Sequence, residues 1–223
     1  DDEFGKQGHS SYPYVFPLLI TDYCMGDLMD KLIDNGKLPC ELCIKHTKDI
    51  VKALIHIAKH KCVHGDIKPD NLLVGKNNEI ILCDFGSSTV VQNCVYDDYV
   101  TSHNGERGTR LYQAPEVVNY KIYGGTYIGG YGDIWSLGIV MYTMAMGHLP
   151  FECASHSSPG FSLFEEEWKG RNHGMLPSLE GVSFQSIGLP SNSTIFKCII
   201  KHCLNPCNVQ SRPRAIDILG YLP

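Results

Sequence analysis

One stretch of the chain combines closely spaced charged and polar side chains with a clear β-hairpin pattern. It begins with His64-Gly65-Asp66-Ile67-Lys68-Pro69-Asp70-Asn71. Two short apolar runs follow, Leu72–Val74 and Ile80–Leu82, joined by Gly-Lys-Asn-Asn, which is typical of a hairpin turn. Asp84-Phe85-Gly86 comes just after the second run. Any fold of this chain must therefore place a polar loop, a β-hairpin and an acidic turn in succession.

The polar side chains of this stretch have uses in phosphoryl transfer. Asp66 can accept the proton of an incoming hydroxyl group, and Lys68 can neutralise charge on the transferring oxygens. Asn71 and Asp84 carry hard oxygen ligands of the kind that Mg²⁺ prefers, with phosphate and water completing its octahedron. A lone His-x-Asp or Asp-x-Gly would be weak, because short acidic turns are common on surfaces. Their order along this chain favours a phosphate and metal site.

The same stretch resembles the catalytic loop and the metal loop of the eukaryotic protein kinases, H-R-D-L-x-x-x-N and then D-F-G. The resemblance implies that ATP and Mg²⁺ are the cofactors and that the substrate is a protein. It implies catalytic roles for Asp66, Lys68 and Asn71. The implied metal ligands are Asn71 and Asp84.

A second segment is similar to the family's G-T-x-x-Y-x-A-P-E. It reads Gly-Thr-Arg-Leu-Tyr-Gln-Ala-Pro-Glu over residues 108–116. The resemblance implies that Thr109 is catalytic and bridges Asp66 and Lys68. Together with the Lys68-Pro69 pair, this residue implies serine or threonine substrates rather than tyrosine.

The chain departs from the family pattern at Gly65. This residue replaces the arginine that gathers a phosphorylated activation loop through charge-assisted hydrogen bonds. Thr101 and Ser102 are candidate phosphorylation sites only because they lie in that loop. We therefore expect activity to be independent of phosphorylation there.

The stretch Leu18–Leu28 resembles the last strand of the kinase small lobe running into the hinge. The resemblance implies that backbone groups of Asp22 and Cys24 bind the adenine edge. It also implies that Asp27 reaches the ribose hydroxyls and that Leu73 forms the floor of the adenine pocket. From the residues alone, an apolar strand followed by a turn explains this stretch equally well.

Three further segments are predicted to be helices. Residues 39–60 have apolar side chains near helical spacing, and residues 191–204 look similar. Ser162-Leu163-Phe164-Glu165 has the spacing of a capping box, so we expect a helix to start there with Phe164 and Trp168 on one face. Residues 165–167 then form a solvated acidic face or, as the less favoured alternative, a docking site for basic substrates.

Tyr131–Gly138 resembles the D-x-W-S-x-G of the central helix of the kinase large lobe. The resemblance implies that Asp133, at the helix entry, accepts backbone N–H groups of the catalytic loop. It also implies that Arg212, in an Arg-Pro near the end of the chain, pairs with Glu116. The predicted apolar side of this helix comprises Ile134, Leu137, Met141, Tyr142 and Ala145.

Charge and composition exclude several classes of function. The chain has 223 residues, of which 43% are hydrophobic, and a formal net charge of −5 with a pI near 6.0. It offers no broad basic surface, so we expect no nucleic acid partner. The longest uncharged stretch, residues 134–151, is interrupted by Gly147 and Pro150, so we expect no membrane segment.

The ten cysteines are too few for a small disulfide scaffold. Cys40 and Cys43 form a Cys-x-x-Cys near His46, and a second cluster lies within residues 202–207. A zinc site would need four ligands that converge, but the kinase resemblance places the two clusters apart. We therefore expect reduced core or surface cysteines. The compartment cannot be read from this sequence, and the expectation is an intracellular, cytoplasmic location.

The resemblance implies an α+β, protein-kinase-like fold, with a mainly helical large lobe and short β-hairpins. Only seventeen residues precede Leu18, too few for the strands and helix of the small lobe. Residues 1–24 are therefore expected to be a remnant of the small lobe and hinge, and residues 25–223 the large lobe. Gly5-Lys6-Gln7-Gly8 is followed by no lysine-bearing strand before the hinge, so we do not expect it to bind phosphate.

Two classes of function follow. The first is a serine/threonine protein kinase, with weak or no turnover by these 223 residues alone because half of the phosphate clamp is missing. The alternative is a non-catalytic kinase-like interaction module. A large lobe on its own would expose apolar residues near the hinge, so we expect a partner to cover that face.

Overall fold

The computed structural model describes residues 20–21, 23–90, 100–101, 108–119, 127–170 and 192–223. The predicted phosphorylation site Ser102 and the Gly-x-x-Gly of residues 5–8 lie outside these ranges, as does the predicted hinge residue Asp22. For Thr101 only the backbone is described.

Seven helices and six short strands are formed by the described residues. The helices are α1 (Leu28–Asn35), α2 (Cys40–Lys59), α3 (Pro115–Val118), α4 (Gly129–Met146), α5 (Pro159–Gly170), α6 (Asn192–Cys203) and α7 (Ala215–Tyr221). The strands are β1 (Cys62–Val63), β2 (Leu72–Val74), β3 (Ile80–Leu82), β4 (Thr89–Val90), β5 (Val100–Thr101) and β6 (Tyr127–Ile128). The predicted α+β class is confirmed.

The strands pair as three antiparallel two-stranded units, β1 with β4, β2 with β3 and β5 with β6. In the predicted hairpin, Leu72 lies opposite Leu82 and Val74 opposite Ile80. The segment predicted to be the hinge adds to the outer side of this hairpin, because Met25 N–H donates to the carbonyl of Val74 at 2.9 Å. It therefore lies against the strand that follows the polar loop of residues 64–71.

Helix α4 is the centre of the core. Every residue from Gly132 to Ala145 is buried, so the helix is enclosed on all sides rather than on the single predicted apolar side. It also begins at Gly129, not at Asp133. Glycine costs about 1 kcal/mol in a helix, but full burial of the apolar residues that follow outweighs that cost.

Helix α6 packs closely on α4 because residue 138 is a glycine. A Cβ atom at Gly138 would lie 2.8 Å from Cys203 Cβ and 2.9 Å from Leu204 Cδ2. Any larger residue would push the two helices apart. The predicted helix over residues 191–204 is confirmed by α6.

Helix α2 confirms the prediction for residues 39–60, with Pro39 just before its first turn. Its buried face includes Ile50, Val51 and Leu54. The helix ends at Lys59, and His60 and Lys61 turn the chain into β1. Strand β1 then leads directly into the polar loop at His64.

The start predicted for α5 is wrong. The helix begins at Pro159, three residues before Ser162, because the fixed backbone angle of proline suits a first helical position. The Ser162 hydroxyl donates to the carbonyl of His156 at 3.1 Å instead of capping the helix. Phe164 and Trp168 are both buried, as predicted for one face.

Of the helices that the structure describes, none combines the length and the apolar character needed to cross a bilayer.

Candidate active site

The polar loop after β1 is held from beneath by helix α4. The carboxylate of Asp133 accepts the backbone N–H of His64 at 2.8 Å and the backbone N–H of Gly65 at 2.8 Å. The predicted contact between Asp133 and this loop is therefore confirmed. Burial raises the pKa of Asp133 to about 6, although the two N–H donors act in the opposite direction.

His64 connects the loop to the acidic turn, a role that the sequence did not suggest. Its Nε2 lies 3.0 Å from the carbonyl oxygen of Cys83, and its Nδ1 accepts the Asp66 N–H at 3.3 Å. Because Nδ1 accepts, the ring proton belongs on Nε2. The ring also contacts Phe85 edge-on, with centroids 5.0 Å apart. His64 thus fixes the residues on either side of Asp84 relative to the loop.

Asp66 is the point at which the predicted catalytic residues meet. Its Oδ1 accepts the backbone N–H of Thr109 at 2.6 Å, and its Oδ2 lies 3.1 Å from Lys68 Nζ. Asn71 Nδ2 donates to the carbonyl of Asp66 at 2.8 Å and lies 3.2 Å from its Oδ2. Burial acts to raise the pKa of Asp66, but hydrogen bonds from Thr109 and Lys68 outweigh it and hold the pKa below its ordinary value.

Thr109 closes this group of residues from the opposite segment. Its hydroxyl accepts a hydrogen bond from Lys68 Nζ at 2.8 Å, so it bridges Lys68 and Asp66 as the resemblance implied. The preceding residue, Gly108, has φ +81°. A Cβ atom there would overlap the carbonyl oxygen of Gly65. Only glycine fits this approach without displacing the loop.

Gly65 has its own structural constraint. Its φ is +79°, and a Cβ atom would lie 2.9 Å from the carbonyl oxygen of Ser87. Any side chain at this position meets both backbone strain and the turn that follows Asp84.

The two predicted metal ligands lie at the same end of the β2–β3 hairpin. Cys83 N–H donates to the carbonyl of Asn71 at 3.0 Å, which places Asp84 one residue beyond that pair. Asp84 is exposed and has left-handed backbone angles, with Oδ1 accepting the Gly86 N–H at 3.1 Å. A carboxylate and an amide fit Mg²⁺, which keeps several water and phosphate ligands. The described residues contain no group of three or more His, Cys, Asp or Glu side chains suited to a metal.

Two of the predicted nucleotide-binding residues are neighbours across a β-bridge, which pairs Asp27 with the half-buried Leu73. Asp27 also caps α1, since its Oδ1 accepts the Asp30 N–H at 2.8 Å. Cys24 is half-buried three residues earlier. Asp22 lies outside the described residues, so the structure does not place it.

The hinge face is strongly exposed. Ile20, Tyr23 and Met25 have exposed fractions of 84%, 80% and 69%. These three side chains form what we call the hinge face.

The cysteines that suggested a zinc alternative are mostly core residues. Cys43 and Cys203 are buried, and burial raises the pKa of each thiol to about 12. Cys207 is exposed. All cysteines in the described ranges are free thiols.

A buried ion pair fastens the segment after Thr109 to the end of the chain. Arg212 Nη1 and Nη2 donate to the two carboxylate oxygens of Glu116 at 2.6 and 2.9 Å. Arg212 Nε also donates to the carbonyl of Asn205 at 3.1 Å, and its guanidinium lies over the Trp135 ring at 4.9 Å. The predicted pair is confirmed.

Comparison with known proteins agrees with this geometry. A family model described as "Protein kinase domain" matches residues 10–221. Serine/threonine-protein kinase 36 of Mus musculus is 36% identical over 138 residues, which are 62% of this chain and 10% of that protein. The SNF1-like protein kinase ssp2 of Schizosaccharomyces pombe is 32% identical over 135 residues, 60% of this chain and 22% of that protein.

The Carbon catabolite-derepressing protein kinase of Secale cereale is likewise 32% identical over 135 residues, 60% of this chain and 25% of that protein. The matched part of the chain thus spans a quarter or less of the length of these three relatives. The family model covers nearly all of the chain, and the polar loop, the acidic turn and the Glu116–Arg212 pair agree with it. The chain therefore belongs to the eukaryotic protein kinase family, of the serine/threonine type.

Proposed function

We propose that this chain supplies the large-lobe half of a serine/threonine kinase site, which transfers the γ-phosphoryl group of ATP to a protein hydroxyl. The observation that carries the proposal is the convergence of Lys68, Thr109 and Asn71 on the carboxylate of Asp66. Four side chains from two distant segments have no structural need to meet in this way.

Asp66 acts on the acceptor hydroxyl. Its pKa lies below its ordinary value, so the carboxylate is ionised at neutral pH and can orient the hydroxyl and take its proton. Thr109 and Asn71 hold the carboxylate in position through the contacts described above. Lys68 lies 3.1 Å from the same carboxylate and is placed to neutralise the oxygens of the group being transferred.

Asn71 and Asp84 would hold Mg²⁺ beside the phosphates. The ion supplies neutralisation of phosphate charge when bound. The hinge backbone at Cys24, together with Asp22, would bind the adenine edge. Asp27 would face the ribose and Leu73 the adenine ring.

These residues form one side of the phosphate site. The glycine-rich loop and the strand lysine of the family have no counterpart among the described residues. We infer that turnover by the 223 residues alone is weak or absent, and that full activity depends on those two elements. Only a quarter or less of each relative named above is matched, so the whole protein's activity is part of this proposal.

The test is ATP-dependent phosphorylation of a mixed serine, threonine and tyrosine peptide pool by the complete protein. Asp66→Asn removes the base, and Asp84→Asn removes a metal ligand. Each should lower kcat by about 10²-fold or more. Asp34→Asn, on the exposed end of α1, is the matched control and should change nothing. Undiminished activity in both test variants would refute the assignment.

A second candidate, a non-catalytic interaction module, is favoured by the exposed hinge face. Apolar side chains exposed to this degree are typical of interfaces. The same assay distinguishes the two functions. A complete protein that folds, carries an intact Asp66 and Asp84 and still transfers no phosphoryl group from Mg-ATP would support the module.

A further inference from the structure

A cavity of about 310 Å³ lies behind the catalytic loop, enclosed by α2, the first turns of α4 and the start of α7. This volume is within the range of small-molecule sites in proteins, which begins at about 300 Å³. Most of its wall is apolar, and the apolar side chains used below are Ala58, Ile134, Ala215 and Ile216.

The inner wall contains Asp133. This is the residue whose carboxylate accepts the N–H groups of His64 and Gly65. An occupant of the cavity would therefore touch the group that positions the catalytic loop, from the side opposite to the loop. When ionised, the Asp133 carboxylate carries a negative charge, so it disfavours the entry of a second anion beside it.

The mouth carries positive charge. Lys59 and Arg214 both line it. Arg214 is neutralised by Asp217, with Nε and Nη2 donating to the two carboxylate oxygens at 3.0 and 3.1 Å. Lys59 is exposed at the end of α2, and it forms no ion pair within the part of the chain that the structure describes. Lys59 is thus the cation available at the rim.

We propose that this cavity binds an amphiphile with a slender apolar tail and a single anionic head. The tail fills the apolar space against Ile134 and Ala215, and the head stays at the mouth beside Lys59. The two charges act in the same direction, because Asp133 excludes an anion from the inner wall while Lys59 attracts it at the rim. The proposal does not depend on whether the chain transfers phosphate.

The first experiment is calorimetric titration of the chain with straight-chain carboxylates of about six to fourteen carbons, kept below their micelle concentrations. Burial of each methylene is worth about 0.8 kcal/mol, so affinity should rise about fourfold per methylene and then level off when the cavity is full. Primary alcohols and amines of equal length separate the contribution of the head group. The carboxylate should bind more tightly than either. An amine that binds more tightly than the carboxylate, or an alcohol that binds as tightly, would overturn the assignment of the head group to Lys59.

Variants test the location. Lys59→Gln should weaken binding of the carboxylate but not of the alcohol. Lys52 is an exposed lysine on the same helix, and Lys52→Gln should weaken binding of neither ligand. Ile216→Asp places a negative charge at the mouth and should lower the affinity for the carboxylate at least tenfold. Its matched control is Leu163→Asp on α5, since Leu163 is 62% exposed and Ile216 53%. Both aspartate changes are at exposed positions, so a folded protein is expected in each case.

Ala58→Phe fills the cavity and should abolish binding of the carboxylate and the alcohol alike.

The last readout is amide hydrogen exchange with and without the carboxylate that binds most tightly. Exchange at His64 and Gly65 should slow, because the ligand packs against Asp133, which accepts the hydrogen bonds of their N–H groups. Affinity that rises with chain length without a plateau, and that no variant changes, would show adsorption to the surface and overturn the proposal.

Discussion

Asp133 and His64 are 69 residues apart in sequence, yet an Asp133 carboxylate oxygen accepts the His64 N–H at 2.8 Å. The second oxygen accepts the N–H of Gly65, so one carboxylate satisfies two consecutive backbone donors. The loop that carries Asp66 is therefore fixed by the central helix rather than by its own short strand. Substitutions at Asp133 in helix α4 should therefore affect the loop as strongly as substitutions within the loop itself.

Asp133→Ala is expected to lower the free energy of unfolding by about 2 to 6 kcal/mol. The reason is that two N–H groups, one buried and one part-buried, lose their acceptor, at about 1 to 3 kcal/mol each. Urea denaturation measures the loss, and amide exchange at His64 and Gly65 should quicken. Asp34→Ala serves as the exposed control. A normal exchange rate at both amides in Asp133→Ala would contradict this account of the loop.

Arg212→Met should cost about 3 to 5 kcal/mol, because it leaves the Glu116 carboxylate buried without its partner. Adding Glu116→Leu should restore most of the stability, since removing both charges also removes the cost of burying them. Thermal and urea denaturation of the single and double variants provide the comparison. A double variant less stable than Arg212→Met would show that the pair itself, rather than the unpaired charge, dominates.

Gly108→Ala should impair catalysis more than stability. The new methyl group overlaps the Gly65 carbonyl oxygen and displaces Thr109 from Asp66 and Lys68. Misplacement of about 1 Å can cost about 10²-fold in rate. Gly36→Ala is the matched control, because Gly36 has φ +72° but open space around it. Peptide phosphorylation by the complete protein is the measurement, and equal rates for the two variants would refute the steric argument.

His46 should make the chain sensitive to acid. It is fully buried, neither ring nitrogen has a hydrogen-bond partner among the residues that the structure describes, and burial lowers its pKa to about 4. The unfolded chain, with an ordinary pKa near 6.5, binds the proton more readily. Stability from this residue is therefore complete above about pH 6.5 and is lost as the pH falls towards 4.

His46→Leu should remove that loss and raise stability at neutral pH by about 1 to 3 kcal/mol, because two unsatisfied polar atoms disappear. Denaturation midpoints between pH 4 and 7 test this, with His56→Leu, an exposed histidine of the same helix, as control. Asp133 contributes a slope of opposite sign below about pH 6, so the difference between parent and variant isolates His46. A constant difference across this range would contradict the prediction.

Alanine at both Thr101 and Ser102 should leave the kinase rate of the complete protein within about twofold of the parent. Gly65 carries no guanidinium that could bind a phosphorylated loop. Its φ of +79° and the nearby Ser87 carbonyl also disfavour any side chain there. Rate assays before and after phosphatase treatment provide the check. Loss of activity in the double variant would show that the loop has another receptor for phosphate.

Motifs with fixed spacing gave the most reliable predictions. The hairpin could be predicted from its apolar runs and turn residues. The Asp133 contact and the Glu116–Arg212 pair were implied by the resemblance to the protein kinases rather than by the residues themselves. Helix starts were less predictable. Pro159 moved one start towards the N terminus, because its fixed backbone angle suits a first helical position. The glycines before Asp133 moved another, since burial of that helix outweighs their low propensity. The start of α1 was also predictable, because Asp27 and Asp30 have the spacing of a capping box.

Other features depend on packing that no local pattern encodes. His64 links the loop to the acidic turn only because β1 and β3 bring Cys83 beside it. The cavity behind the loop arises where α2, α4 and α7 fail to fill the space between them. Such gaps follow from the relative placement of helices, which periodicity does not specify.

The Glu116–Arg212 pair spans 96 residues, and this bears on synthesis. A ribosome that has not yet released Arg212 from its exit tunnel holds a nascent chain whose Glu116 has no cation to meet. The lobe would then remain incomplete until Arg212 has left the tunnel, and chaperones would have the intervening seconds to engage it.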